Sequence, residues 1–266
     1  MDSLQAIILA LVQGLTEFLP VSSSAHLILV PRLLGWPDQG LAFDVAVHLG
    51  TLVAVVFYFR HELITIIGAW TFSLVRREHD AQAAQLGWTL LAATLPLVAA
   101  GFLLEDLVST TLRSPLVIAA ATAFFGVLLW VADRRTDQIA GLTAVGLKVG
   151  LLIGVAQVFA LIPGTSRSGV TMTAGLALGL DRQTAARFSF LLSIPAIAGA
   201  SVLELAELAQ SSAPVPWSEI VLGLVVAAFS AWLCIRLFLV AIQKIGMLPF
   251  VFYRLALAAV IVLLFV

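Results

Sequence analysis

Gln13-Gly14-Leu15-Thr16-Glu17-Phe18-Leu19-Pro20-Val21-Ser22-Ser23-Ser24-Ala25-His26 packs an acid, three serine hydroxyls and an imidazole into fourteen residues. Apolar runs flank it, residues 4–12 before and 27–30 after. A polar knot inside lipid-compatible sequence is costly, so it reads as a functional site. A second knot follows about 143 residues later: Pro163-Gly164-Thr165-Ser166-Arg167-Ser168-Gly169-Val170-Thr171. The two stretches are read as halves of one site.

Composition sets the solvent. Of 266 residues, 61% are hydrophobic and only 11% charged, where a soluble domain carries about a quarter charged residues. Long apolar runs recur from end to end, which defines an all-α polytopic membrane protein. Met1-Asp2-Ser3 lacks the basic start of a secretory signal, so the N-terminus is expected to be retained. The single Cys234 excludes an intramolecular disulfide and a thiolate metal cluster. A net charge of −1 gives no footprint for nucleic acid. The bilayer is the first partner.

Six apolar segments are long enough, or nearly so, to span: 43–59, 88–104, 115–132, 188–204, 219–238 and 249–265. The first and fourth are marginal and are expected to start earlier or run tilted. Residues 4–34 and 147–180 differ, because Pro and polar residues cut each in the middle. Each half is about 15 residues, or about 22 Å of helix, short of a ~30 Å hydrocarbon core. The expected architecture is therefore six spanning helices plus two re-entrant helical hairpins. The alternative is two ordinary spans bent at Pro20 and Pro163.

The chain also reads as a repeat. Residues 1–135 give a hairpin plus three spans, and residues 136–266 give the same order again. Aligning Pro20 with Pro163 sets Ser23 against Ser166 and Ser24 against Arg167, with Gln13 loosely against Gln157. Positive charge supports opposite orientations of the two halves. If the loop 60–87 is cytoplasmic, then Arg60, Arg76, Arg77, Arg134, Arg135, Lys148, Arg182, Arg187, Arg236, Lys244 and Arg254 fall on that side. Arg32 and Arg113 fall on the other, and Arg167 lies within the membrane. An inverted-topology repeat results, an architecture in which broken helices meet near the midplane and build the binding site.

Arg167 is the natural anion clamp. A guanidinium in a membrane hairpin needs an anionic partner, and its planar fork suits carboxylate or phosphate. Gly164, Gly169 and the hydroxyls of Thr165, Ser166, Ser168 and Thr171 complete a phosphate cradle. An Arg snorkelling to the interface among small packing residues is the plainer alternative. On the first knot, Gln13 and Glu17 lie four apart on one helical face. They could hold a hard divalent cation, with phosphate oxygens completing its shell. A serine hydroxyl could attack phosphorus if a neighbouring base takes its proton, and His26 or Glu17 could be that base. Asp44 and His48, also four apart, are a weaker supporting pair. Glu105, Asp106 and the Asp133-Arg134-Arg135 run read as span-end anchors, and the Gly150/Gly154 and Gly175/Gly179 pairs as close-packing positions.

At these residues the sequence resembles the undecaprenyl-pyrophosphate phosphatases of the bacitracin-resistance type. Their first motif has Glu or Gln, three residues, then Glu, followed by Pro-Val-Ser-Ser-x-x-His, here Gln13, Glu17 and Pro20 through His26. Their second reads Pro-Gly-x-Ser-Arg-Ser-Gly-x-Thr, here Pro163 through Thr171. The resemblance covers the whole chain. It implies a multi-pass bacterial inner-membrane hydrolase of a phosphoric anhydride, with a site opening to the periplasm. Its substrate would be a C55 polyprenyl diphosphate, cleaved to undecaprenyl phosphate and phosphate to recycle the lipid carrier of peptidoglycan synthesis. Bacitracin tolerance and a divalent cation, Mg²⁺ or Ca²⁺, are implied as well.

Carried over by position, the catalytic set is Glu17, Ser23, His26 and Arg167. Ser22, Gly164, Ser166, Ser168 and Thr171 bind substrate, and Glu17 with Gln13 holds the metal. Ser23 would attack and His26 would move the proton, although His26 itself or a metal-bound water could attack instead. Two other classes compete: a transporter or flippase of polyprenyl phosphate, built on the same kind of inverted repeat, and an intramembrane serine hydrolase, for which Arg167 would be superfluous. A homo-oligomer is compatible with the sequence.

Overall fold

The computed structural model describes residues 1–75, 78–104, 112, 114–134, 139–210 and 216–265. Arg76, Arg77, Glu105, Asp106, Arg113 and Arg135 lie outside them. Eleven α-helices occur among the described residues: α1 Ser3–Thr16, α2 Ser23–Leu34, α3 Leu41–Tyr58, α4 Arg60–Leu74, α5 Ala81–Leu103, α6 Pro115–Asp133, α7 Leu147–Gln157, α8 Arg167–Ala177, α9 Arg182–Gln210, α10 Trp217–Ile245 and α11 Leu248–Phe265. The only pairing of strand type among them is one isolated bridge, Ile139 with Leu180.

Six helices, α3, α5, α6, α9, α10 and α11, are long and apolar enough to cross a membrane. They are the six segments expected from hydropathy. The two marginal ones do start earlier, α3 at Leu41 and α9 at Arg182. Apolar length marks only the part of a helix that lipid requires, whereas backbone hydrogen bonding continues past it into polar turns. The four helices flanking the knots are short, 14, 12, 11 and 11 residues for α1, α2, α7 and α8. At 1.5 Å per residue these are about 17 to 21 Å long, less than the ~30 Å hydrocarbon core. The apolar run in residues 63–75 lies mostly in a further helix, α4.

Local chemistry explains the helix ends. Asp2 accepts the Gln5 N–H at 2.8 Å while Gln5 Oε1 accepts the Asp2 N–H, a reciprocal cap that starts α1. Asp80 caps α5 through the N–H groups of Gln82 and Ala83. Ser114 with Pro115 behind it starts α6.

The packing is inside out, as lipid solvent dictates. Leu95, Phe102, Phe124 and Phe229 are exposed, while Gln13, Glu17, Thr51, Gln157 and Arg254 are buried. With no hydrophobic drive between helices in lipid, small residues permit close backbone contact. Helix α1 lies on α10 and α3, and α7 lies on α5. A Cβ on Gly14 would collide with Ser230 Oγ and come within 2.7 Å of the Ala227 carbonyl of α10. One on Gly154 would collide with the Ala93 backbone of α5. Each knot is thus seated by a glycine on a long helix of the other half of the chain. Phe18, Phe59, Phe188, Phe190 and Phe238 fill the main core beside the first bend, with Phe18 edge-on to Phe190 at 5.2 Å.

Arg254 departs from expectation. Charge counting set it at a membrane face; the structure buries it completely within α11. Its Nη1 donates to Pro20 O at 3.2 Å, its Nη2 to Gly164 O at 3.0 Å and its Nε to Thr122 O at 3.0 Å. One guanidinium therefore ties both polar bends to α6. It is misread in sequence because a lone cation in a short apolar span looks like an interfacial residue.

Candidate active site

The two bends have the same backbone. Ser22 (φ 73°, ψ 91°) and Ser166 (φ 69°, ψ 111°) are the non-glycine residues with positive φ among the described ones. Each precedes a helix, α2 or α8, and each hydroxyl lies 3.2 Å from that of the serine two positions on, Ser24 or Ser168. The local geometry therefore matches Ser22 with Ser166, one position off the alignment read from the prolines, and sets Ser23 opposite Arg167. Ser166 Oγ accepts the Gly169 N–H at 3.1 Å, capping α8. The bends also touch directly: Ser168 Oγ donates to Leu19 O at 2.8 Å.

Glu17 is the hub. Its Oε1 accepts Arg167 Nη2 at 2.7 Å, across 150 residues of chain. Its Oε2 accepts the Ser23 hydroxyl at 2.6 Å and Gln13 Nε2 at 3.0 Å. Burial of the ion pair makes it strong in place and costly to break. Arg167 Nη1 also reaches Ser189 O at 3.3 Å, and Thr171 Oγ1 bonds the Arg167 carbonyl at 2.9 Å and Ser189 Oγ at 2.7 Å. Thr171 thus braces the helix turn that carries Arg167. Gly164 contributes its carbonyl to Arg254 and to Thr122 rather than facing the cavity.

A cavity of about 250 Å³ opens over this pair. Glu17, Ser22, Ser23, Ser24, Ser166 and Arg167 form its polar floor. Its walls include Ala196, Ala200 and Glu204 of α9. Ser168 and Thr171 stand behind the floor, within hydrogen-bond reach of the groups that shape it.

His26 lies elsewhere. Its Nδ1–H donates to the Ser22 carbonyl at 2.7 Å, which leaves Nε2 of a neutral ring to accept the Tyr253 hydroxyl at 2.6 Å. The ring stacks on Tyr253, with 5.7 Å between centroids. Both nitrogens are thus taken by partners other than Ser23, whose own hydroxyl bonds Glu17. His48, a secondary candidate in sequence, does line the cavity. Its Nδ1–H is held by the Asp44 carbonyl at 2.7 Å, and its Nε2 faces Glu17 Oε2 at 4.0 Å. The i to i+4 spacing of Asp44 and His48 was the available signal. Glu204, Tyr253 and Arg254 carried none, because they reach the knots only through tertiary packing.

A hard cation would find oxygen donors here. Gln13 Oε1 is buried beside Glu17 without a hydrogen-bond partner, and Ser23 Oγ is adjacent. No cluster of three His, Cys, Asp or Glu exists among the described residues. These residues fit a divalent ion that also takes ligands from a bound phosphate, and do not by themselves form a closed cage.

The fold and site define a class: a multi-pass helical membrane protein with a buried carboxylate–guanidinium pair and an acid-bonded serine at the meeting of two broken helices. The model of the family described as bacitracin resistance protein BacA matches residues 6–260, and the chain belongs to that family. It is 57% identical over 268 residues to a Stutzerimonas stutzeri protein named undecaprenyl-diphosphatase 2, covering 100% of this chain and 99% of the relative. It is 55% identical over 261 residues to an undecaprenyl-diphosphatase of Chromohalobacter salexigens, covering 98% of each. A Teredinibacter turnerae undecaprenyl-diphosphatase is 54% identical over 266 residues, with 100% and 99% covered.

Proposed function

We propose that this protein is an undecaprenyl-diphosphate phosphatase, which cleaves the C55 polyprenyl diphosphate to undecaprenyl phosphate and inorganic phosphate and so sustains cell-wall precursor synthesis and bacitracin tolerance. The observation that carries the reading is the Ser23–Glu17–Arg167 arrangement: a nucleophile, a base and an anion clamp within 2.6 Å and 2.7 Å contacts of one carboxylate. The names of relatives covering nearly the whole chain support the substrate.

The chemistry follows from the positions. The prenyl tail stays in the bilayer while the diphosphate enters the cavity. Arg167 offers its fork to the phosphate oxygens, assisted by the Ser22 and Ser166 hydroxyls, with Ser168, Thr171 and Gly164 holding the cradle in shape. Ser23 Oγ attacks the terminal phosphorus, its proton passes to Glu17, and the bond to the bridging oxygen breaks, releasing undecaprenyl phosphate. Water then cleaves the phosphoserine, giving inorganic phosphate and restoring Ser23. His26, fixed between Ser22 and Tyr253, sets the backbone that presents Ser23, and proton movement at the attacking oxygen is given to Glu17. A divalent cation, Mg²⁺ or Ca²⁺, held by Glu17 and Gln13 would neutralise phosphate oxygens when bound.

The matching bends, the short helices and the crosswise seating of α1 on α10 and α7 on α5 favour two re-entrant hairpins in an inverted repeat of residues 1–135 and 136–266. The setting is the bacterial inner membrane, with the cavity open to the periplasm. A homo-oligomer would use the same apolar outer faces that lipid covers.

A flippase needs the Arg167 clamp but not the serine bonded to a carboxylate, so hydrolysis is favoured. Phosphate release from C55 diphosphate by the purified protein in detergent, with and without EDTA, tests the reading. No release at any divalent-ion concentration overturns it.

A further inference from the structure

A second polar hollow lies at the other end of the bundle. Arg182 begins α9, and Ala196 to Glu204 on the same helix wall the active-site cavity. That separation is 14 to 22 residues, or about 21 to 33 Å of helix. The hollow, about 500 Å³, is lined by Asp133, Arg134, Arg182 and Lys244 among its polar groups, with Trp130, Ile245 and Leu248 at its apolar rim.

Its charges are unequally matched. Asp133 is saturated: Oδ1 accepts Arg182 Nε at 2.6 Å, and Oδ2 accepts Arg182 Nη2 and the Met247 N–H, each at 3.1 Å. That ion pair fixes the ends of α6, α9 and α11 against one another and consumes the only carboxylate among the described residues of the lining. Arg134 stacks over Trp130 at 4.9 Å, and Lys244 sits in the last turn of α10. Among the described residues neither has a carboxylate within ion-pair reach. Among the described residues, two positive charges face one hollow without a carboxylate partner.

The rim says what kind of anion fits. Trp130 is 41% exposed, Ile245 50% and Leu248 44%, at the ends of three spanning helices. Aromatic and basic residues at span ends mark the head-group level of a bilayer. A soluble anion needs no apolar rim, whereas a lipid head group brings acyl or prenyl chains that lie against it. Basic pockets between spanning helices are suited to phosphate head groups. We propose that this hollow is a second lipid site, in which Arg134 and Lys244 bind the phosphate of a membrane-anchored head group. The ligand class is a lipid phosphate, whether the diester of an anionic phospholipid or the monoester of a polyprenyl phosphate.

Native mass spectrometry of the full chain in detergent, with Arg134→Gln/Lys244→Gln as the comparison, tests it. Wild type should retain phosphatidylglycerol, C55 phosphate or both in preference to phosphatidylcholine, and the double variant should bind the retained lipid about 25-fold more weakly, about fivefold per charge removed. Loss with phosphatidylglycerol identifies a bilayer phospholipid as the ligand; loss confined to C55 phosphate identifies a polyprenyl phosphate. Lys244→Gln alone, at an exposed side chain, should lose about fivefold and keeps the test open if the double variant fails to fold. Phosphatase turnover should be unchanged in either variant. Equal retention of phosphatidylcholine, phosphatidylglycerol and C55 phosphate by wild type and double variant alike overturns the proposal, as does charge-dependent binding of inorganic phosphate without any lipid preference.

Discussion

Ser22 and Ser166, 144 residues apart, hold the same left-handed backbone, φ 73° and 69°, and each turns the chain into the helix that begins with Ser23 or Arg167. Side chains with a Cβ adopt this conformation only when surroundings enforce it, at about 1–3 kcal/mol. Ser22→Gly should therefore unfold no earlier than wild type in a detergent melt. Ser22→Val should unfold distinctly earlier, by about that free energy, because β-branching adds to the strain. An equal melting point for the valine variant would show that the turn is not under strain.

Arg167 is held by a 2.7 Å bond to Glu17 and a longer one to Ser189 O. Lysine keeps the charge and loses the fork. Arg167→Lys should lower turnover roughly 10- to 100-fold, the loss of one charge-assisted hydrogen bond. A rate within twofold of wild type would make Arg167 an anchor.

Ser23→Ala removes the hydroxyl bonded to Glu17. Turnover should fall by at least about 100-fold, the usual worth of base-assisted attack. Rapid quench of wild type with labelled diphosphate should trap label on Ser23. Near-normal turnover of the alanine variant would pass the attack to water.

EDTA should abolish phosphate release, and Gln13→Glu should then restore it at lower Ca²⁺ or Mg²⁺, on the order of tenfold, since ligand charge sets affinity for hard cations. Isothermal titration with the metal alone gives the same comparison without turnover. No change in affinity would place the cation away from Gln13.

Arg254 lies outside the lining of the active-site cavity, yet holds Pro20, Gly164 and Thr122 by their carbonyls. Arg254→Met removes three charge-assisted hydrogen bonds to buried carbonyls, at about 1.5–3 kcal/mol each. Both thermal midpoint and turnover should collapse, while Arg254→Lys should recover part of the stability. A methionine variant with wild-type stability would mean the bends are set by packing alone.

The spans were legible because lipid demands about 20 apolar residues in a row, and α3, α5, α6, α9, α10 and α11 each supply them. The two knots were legible because polar clusters interrupt such runs. Partnerships were not. His26 reads as a base for Ser23 because it lies three residues away, yet at that spacing on α2 its ring turns to Tyr253, 227 residues further on. His48 reads only as a weaker supporting candidate beside Asp44, and α3 brings it to Glu17. Arg254 reads as a surface cation and is the most deeply buried charged side chain among the described residues.

By itself the sequence determined that this chain lives in a bilayer, where its helices run and which two polar stretches interrupt them, because solvent and hydrogen-bond requirements act locally along the chain. Only the tertiary structure decided that Glu17 serves both Ser23 and Arg167, that Tyr253 takes His26, and that one buried guanidinium joins both bends. Those contacts depend on glycine-sized gaps between α1 and α10 and between α7 and α5. Such fits are set by three-dimensional shape between distant segments, which no local pattern encodes.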